Sequence, residues 1–197
     1  MTIKLINFEN INLFKQEKHI IRNFSLEVYP GEKINIYGKN GSGKTSLLKL
    51  IAGITQPSNG TITFDKELNV NRDIFYIGHK YGLKGELSVN DNLKYILGFT
   101  QNNKYVCIRD ELKFYDMDDY LDIQIKHLSH GQKKIISLVQ LALIPNKIWI
   151  LDEPFTGLDK SIINKFFKKI NIHIEKMGSL IITSHNPKEQ FNNTELC

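Results

Sequence analysis

Short apolar runs alternate along the chain with longer segments of helical spacing. Ile3–Phe8 and Ser25–Tyr29 are typical of strands near one edge of a sheet, and Pro30-Gly31 ends the second run. A buried strand is predicted at Lys33–Tyr37 and a further strand at Thr61–Phe64, and Ile74–Gly78 is another apolar run. Central parallel strands are predicted at Ile148–Leu151 and Leu180–Thr183. Helices are predicted at Lys44–Ala52, from the cap Ser88 to Leu97, at Gln132–Leu143 and at Lys160–Met177. Strands that alternate with helices predict a layered α/β fold.

Composition places the chain among single-domain globular proteins. Its 197 residues fit one large domain, and 41% hydrophobic with 24% charged residues is ordinary for such a fold. No run approaches eighteen apolar residues, and the N-terminus has no pattern of a secretory signal, so we expect neither a spanning segment nor secretion. Cys107 and Cys197 are far apart, which favours free thiols in a reducing compartment. The net charge of +5 comes from dispersed lysines, which favours a solvated surface and no nucleic-acid partner.

A glycine-rich segment between a predicted strand and a predicted helix matches the phosphate-binding pattern G-x-x-x-x-G-K-[ST]. Glycines allow backbone N–H groups to turn towards phosphate oxygens, and the helix N-terminus adds a positive dipole end. Lys44 supplies a charge for the β- and γ-phosphates, and the Thr45 hydroxyl can bind Mg²⁺. A coincidental turn is the alternative, but the strand–helix context favours ATP. The predicted nucleotide-binding residues are Gly38, Lys39, Asn40, Gly41, Ser42, Gly43, Lys44, Thr45 and Ser46.

An acidic pair, Asp152-Glu153, directly follows the apolar strand Ile148–Leu151. In a phosphate-loop protein the first acid holds Mg²⁺, and the second can orient and polarise the attacking water. Alone, such a pair is more often a helix cap, but the upstream phosphate loop reverses that preference. We therefore expect Asp152 with Thr45 at the metal, and Glu153 as the catalytic base.

Leu128-Ser129-His130-Gly131-Gln132 resembles the LSGGQ signature of ABC ATPases. Thr156-Gly157-Leu158-Asp159 is similar to the D-loop of that family, and Leu180–His185 to its strand and switch histidine. The resemblance implies a P-loop NTPase fold of the ABC type. The chain would form one ATP-binding domain over residues 1–197. This domain would have a mostly parallel central sheet, an N-terminal antiparallel β part and a helical subdomain at about 82–143.

The resemblance also implies roles for single residues. Two copies of the chain would sandwich two ATP molecules, with the signature of one copy on the γ-phosphate held by Lys44 of the other. His185 would sense that phosphate. A plain alternative stays open, in which Ser129 only caps a helix and His185 only ends a strand. The remaining implied nucleotide contacts are Ser129, Gly131, Gln132, Asp159, which links the two sites, and Phe14, which stacks on adenine.

Two positions depart from the family pattern. His130 stands where glycine is common, and Lys80 stands where most members have a glutamine that approaches Mg²⁺. An ammonium has no lone pair, so Lys80 cannot ligate a cation. It either turns outward or reaches the γ-phosphate, and the flanking Tyr81-Gly82-Leu83 favours the outward position. We expect Lys80 on a partner-facing surface with Tyr81, Leu83 and Glu86.

The segment Gly78–Leu93, with Asp152–Thr156, is similar to the ATP-binding subunits of the haem exporter of cytochrome c maturation. This likeness implies integral membrane partners and a peripheral position on the cytoplasmic face of the inner membrane. Two alternatives stay open: an ABC ATPase for another substrate, and a soluble accessory ATPase such as one of iron–sulfur assembly. Tandem translation ATPases and coiled-coil DNA-repair ATPases do not fit a chain of this length, and P-loop kinases lack the signature.

Overall fold

A computed structural model describes residues 3–98 and 107–196. These residues form two compact units. The first comprises 3–76, 146–154 and 172–196, and the second comprises the described parts of 77–145 with 155–171. Cys107 is a free, exposed cysteine. The prediction of a second free thiol, Cys197, lies outside the described residues.

An antiparallel sheet of β1 (Ile6–Lys15), β2 (Lys18–Val28) and β4 (Asn59–Phe64) opens the first unit, in the order β2-β1-β4. Its strands run well beyond the predicted Ile3–Phe8 and Ser25–Tyr29. The β1–β2 register shifts three times, so the buried positions of β1 do not alternate strictly. Because of these shifts, buried and exposed side chains do not alternate along the strands, and a sequence search for that alternation misses part of their length.

The second sheet of this unit has the order β5-β6-β7-β3-β8 among the described residues. β3 pairs in parallel with both β7 and β8, and β6 pairs in parallel with β7. Every residue of β6 and β7 is buried, as expected for central parallel strands. The mostly parallel sheet and the N-terminal antiparallel sheet confirm the predicted fold class. The strands are β3 (Lys33–Tyr37), β5 (Ile74–Ile77), β6 (Ile148–Leu151), β7 (Ser179–Ser184) and β8 (Asn192–Glu195).

Helix α1 (Lys44–Ile51) follows β3 and packs its apolar face into the core of the first unit. Leu47, Leu48 and Leu50 are fully buried there, and Ile34 and Ile36 of β3 belong to the same cluster. Full burial of a leucine side chain stabilises the fold by about 2 kcal/mol. The core therefore fixes the start of α1, where the phosphate loop ends.

A buried carboxylate joins the short helix α2 (Val70–Asp73) to the residue before β6. Asp73 lies 3.0 Å from Lys147 Nζ and accepts a 2.8 Å bond from Arg72 Nε. Burial would raise the pKa of Asp73, but the hydrogen bonds from Arg72, Lys147 and the Asn69 backbone outweigh it and lower that pKa to about 2.

The second unit contains helices and short 3₁₀ turns in its described part. Helix α5 is buried over most of its length. Helix α4 was missed by the sequence analysis, because Leu112 is its one fully buried residue. The predicted limits of the helical subdomain, 82–143, stay a prediction. The helices are α3 (Val89–Leu97), α4 (Ile108–Phe114), α5 (His130–Leu143) and α6 (Lys160–Glu175), whose last turn belongs to the first unit.

Candidate functional site

The phosphate loop runs from the end of β3 to the first turn of α1 in the first unit. Gly43 has a φ of 100°, and a Cβ there would lie 2.8 Å from Ile20 Cγ2, so only glycine fits. Lys44 is 6% exposed, and its ammonium donates to the carbonyls of Gly38 at 2.7 Å and Lys39 at 3.0 Å. The loop therefore curls around a buried cation. Lys39, Asn40 and Gly41 are exposed, while Ser42, Thr45 and Ser46 are half-buried.

Three oxygen-bearing side chains meet at the carboxyl end of β6. Asp152 is 6% exposed and accepts hydrogen bonds from Thr45 Oγ1 at 2.7 Å and from Thr183 Oγ1 at 2.6 Å. The first bond comes from α1 and the second from β7. The predicted metal residues Thr45 and Asp152 are thus in direct contact.

The next residue, Glu153, leaves the strand in an unusual conformation. Its φ is 49°, in the left-handed region that costs a residue with a side chain about 1–3 kcal/mol. Its backbone N–H donates to Thr183 Oγ1 at 3.0 Å, and this bond helps to hold the bend. The carboxylate then reaches His185, with Oε1 3.3 Å from Nε2. The predicted base and the predicted switch histidine therefore lie side by side, and the histidine is the more exposed of the two.

The pKa of Tyr76 on β5 responds to burial and to a charge at this edge of the sheet. Burial, and then the negative charge of Asp152, raise the pKa of Tyr76 to about 12. The phenol thus stays protonated at neutral pH. It is a polar group near the acidic residues that the sequence analysis did not single out.

An open cleft of about 730 Å³ lies between the β1–β2 hairpin and the phosphate loop. Its lining includes His19 and Arg22 from the hairpin and Gly41 and Ser42 from the loop. Phe14, the predicted adenine-stacking residue, is 45% exposed and stacks on His19 with ring centroids 4.1 Å apart. The hairpin thus carries a stacked aromatic pair, of which His19 lines the cleft.

The signature residues begin α5, in the second unit. Ser129 caps this helix: its hydroxyl accepts from the Gln132 N–H at 3.2 Å, and its own N–H donates to Gln132 Oε1 at 2.8 Å. Ser129 therefore has the structural role that the sequence analysis left open, and its proposed phosphate contact stays a prediction. Asp159 is exposed and caps α6 through a 2.9 Å bond from the Ile162 N–H.

The unusual residue His130 contacts Tyr81 within the second unit. The Tyr81 hydroxyl lies 3.2 Å from His130 Nε2, and the rings meet edge to face with centroids 5.4 Å apart. Lys80 is exposed, and Glu86 is paired with Lys126 at 2.6 Å. The predicted partner-facing role of Lys80, Tyr81, Leu83 and Glu86 stays a prediction.

Several residues at these sites were missed by the sequence analysis. Thr183 holds Asp152, Lys15 donates to Ser46 Oγ at 2.8 Å, and His19 lines the cleft. Thr183 could have been found, because it ends a strand predicted to lie in the same sheet as Ile148–Leu151. No local sequence pattern indicates that Lys15 or His19 lies at the site.

The donor set suits a hard divalent cation. A threonine hydroxyl and an aspartate carboxylate in contact are the oxygen ligands that Mg²⁺ prefers. A buried lysine in a glycine-rich loop before a helix, with this oxygen pair on a parallel sheet, defines a phosphate-loop nucleoside triphosphatase.

Known proteins resemble this chain in sequence and in fold. The sequence profile of the ABC transporter family matches residues 21–156. The cytochrome c biogenesis ATP-binding export protein CcmA of Colwellia psychrerythraea is 32% identical over 187 residues, which cover 92% of this chain and 85% of that protein. The protein of the same name from Histophilus somni is 34% identical over 188 residues, which cover 91% of this chain and 86% of that protein.

Solved structures share the fold. A putative ABC transporter ATP-binding protein from Pyrococcus furiosus superimposes with a TM-score of 0.79 at 24% identity, covering 97% of this chain and 96% of its own. A dimeric ATP-binding cassette in a post-hydrolysis state, bound to ADP and phosphate, has a TM-score of 0.79 at 20% identity. The superposition covers 92% of this chain and 88% of that chain. The chain belongs to the ABC transporter family, as an ATP-binding and ATP-hydrolysing subunit. No helix in the described ranges is long and apolar enough to cross a membrane.

Proposed function

We propose that this chain hydrolyses ATP to energise a membrane partner that exports haem for c-type cytochrome biogenesis. The observation that carries this proposal is the likeness, over 92% of the chain, to a cytochrome c biogenesis ATP-binding export protein. The two more general alternatives, an ABC ATPase for another substrate and a soluble accessory ATPase, predict different partners and no effect on cytochromes.

Each residue of the site has a separate task in hydrolysis. Lys44 exchanges the carbonyls of Gly38 and Lys39 for phosphate oxygens, which offer its ammonium a full negative charge. Thr45 and Asp152, which are in contact, would hold Mg²⁺, and the ion would supply charge neutralisation on the phosphates. The aromatic pair Phe14–His19 provides a surface for the base.

Glu153 is the general base for the attacking water. The bend at Glu153 directs the carboxylate away from the strand, and the Thr183 hydroxyl that bonds its N–H also orients Asp152. His185 holds the base and binds the γ-phosphate, and its contact with the Glu153 carboxylate supports this role. These contacts support one hydrolytic centre built from β6, β7 and α1.

A second copy completes the site. In the proposed sandwich, Ser129 and Gly131 at the start of α5 bring an N-terminal dipole end and backbone N–H groups to the γ-phosphate held by Lys44 of the partner copy. Asp159 links the two sites. The subunit would lie on the cytoplasmic face of the inner membrane, held there by integral membrane subunits.

The test separates haem delivery from ATP hydrolysis. In the source organism, replacement of the chromosomal gene by a Glu153→Gln copy is expected to abolish covalent haem in c-type cytochromes, read by haem peroxidase staining of denatured membranes. Haem b, measured in the same membranes by difference spectra, is the control and is expected to stay unchanged. Normal c-type cytochromes in a strain whose variant subunit has lost ATPase activity would refute the haem role and leave the ATPase assignment intact.

A further inference from the structure

Helix α5 contains a buried lysine two residues after the signature. Lys134 is 6% exposed, and its ammonium donates a 2.7 Å hydrogen bond to the backbone carbonyl of Thr156. Removing an ammonium from water costs several kcal/mol, so a buried lysine stays charged only where hydrogen bonds or ion pairs hold its ammonium. Both groups belong to the second unit, so this bond is part of one compact body.

The carbonyl belongs to the loop that carries Asp159. This loop lies against the first turn of α5: a Cβ placed on Gly131 would be 3.7 Å from the carbonyl oxygen of Gly157. The other end of the loop is fixed by Asp159, which caps α6. Two backbone segments that are far apart in sequence, the signature turn and residues 156–159, are therefore adjacent.

We infer that Lys134 is a positioning residue, which fixes the loop 156–159 against the signature turn so that Ser129 and Asp159 face a second copy as one surface. This inference rests on the proposed ATP sandwich. The capping box at Ser129 fixes the signature turn from within α5. Lys134 fixes the adjacent loop 156–159, which contributes Asp159 to the same interface.

The role is positional, because the hydrogen bond joins α5 to the loop 156–159. A methionine at position 134 keeps most of the side-chain volume, but it removes both the donor and the cost of desolvating an ion. Loss of the ammonium is therefore expected to loosen the loop, and thermal melting separates this effect from a general loss of stability.

The first experiment measures the loop in the monomer, without a second copy. In Lys134→Met the ¹⁵N order parameter of the Gly157 amide is expected to fall from about 0.85 towards 0.6. Lys133→Met removes the same charge from the neighbouring, half-buried residue and is expected to leave Gly157 unchanged. Lys134→Arg keeps donors at this position and is expected to restore most of the order. Thermal melting of each variant verifies the fold.

The second experiment measures the sandwich by sedimentation with ATP in a Glu153→Gln background. Lys134→Met is expected to weaken dimerisation about tenfold, with ADP affinity of the monomer unchanged, and Lys133→Met is expected to match the parent. An unchanged Gly157 order parameter, or unchanged dimerisation despite a loosened loop, overturns the inference. If the parent Glu153→Gln does not dimerise, the proposed sandwich fails, and the order parameter alone decides whether Lys134 fixes the loop.

Discussion

The Thr45 hydroxyl donates a 2.7 Å hydrogen bond to Asp152 Oδ2, which joins the first turn of α1 to the carboxyl end of β6. The same carboxylate accepts a second hydroxyl, from Thr183 on β7. Asp152 is therefore oriented from two sides by hydroxyl groups. Preorganised oxygen ligands lower the cost of assembling a metal site.

Replacement of Asp152 tests this metal site. We expect Asp152→Asn to raise the Mg²⁺ concentration for half-maximal ATPase activity by at least about tenfold, because a neutral amide oxygen replaces a charged ligand. ADP binding in the absence of Mg²⁺, followed by fluorescence, should change little. Asp122→Asn removes an exposed carboxylate elsewhere and serves as control. A Mg²⁺ dependence like that of the unaltered protein would exclude Asp152 as a ligand.

The buried carboxylate of Asp73 is expected to stabilise the first unit. Its folded-state pKa of about 2 lies below the usual 3.8, so the contribution is complete above pH 3.8 and is lost as the pH falls towards 2. Asp73→Asn should lower the free energy of unfolding by about 2 kcal/mol at pH 7, measured with urea. The difference between the two proteins should shrink near pH 2.5. A constant difference down to that pH would show that Asp73 does not act through its charge.

The sequence predicted the features that depend on neighbouring residues. The phosphate loop, the cap Ser88 and the strand Lys33–Tyr37 are each encoded within about ten residues, and the structure has each of them. The contacts Thr183–Asp152 and Lys134–Thr156 join residues from separate elements, and no local pattern encodes them. The length of the β1–β2 hairpin was missed for a different reason, since its bulges break the alternation of buried and exposed side chains.

A buried histidine should make the protein less stable in mild acid. His173 stacks on Trp149 with ring centroids 3.8 Å apart, and its Nε2–H donates to the Ser179 carbonyl at 3.2 Å. Burial lowers the pKa of His173 below its usual 6.5. The unfolded chain therefore binds this proton at a higher pH than the folded chain does, and stability is lost as the pH falls below about 6.5.

The change in melting temperature between pH 7.5 and pH 5.5 measures this effect. In His173→Phe, which keeps an aromatic ring beside Trp149, the change should be smaller than in the unaltered protein. His127→Gln removes an exposed histidine as the control and should keep the full change. An equal pH dependence in His173→Phe would exclude the buried imidazole as its cause.

Lys80 is expected to act through the partner. Because its side chain is exposed and its ammonium cannot ligate a cation, Lys80→Ala should leave the ATPase rate of the isolated subunit within about twofold. In the complex with the membrane subunits, the same change should reduce the stimulation of ATPase activity several-fold. If the isolated variant loses most of its activity or changes its Mg²⁺ dependence, Lys80 belongs to the active site.

Single-turnover hydrolysis by Glu153→Gln, measured together with ATP binding, tests the central claim most directly. The amide keeps the shape of the carboxylate but cannot take a proton, so we expect ATP affinity within about threefold and hydrolysis slower by about 10²–10⁴-fold. As a control, Glu189→Gln replaces an exposed carboxylate in the same unit and should bind and hydrolyse ATP as the unaltered chain does. Hydrolysis by Glu153→Gln within about threefold of the normal rate would contradict a centre in which Glu153 activates water beside Asp152 and His185.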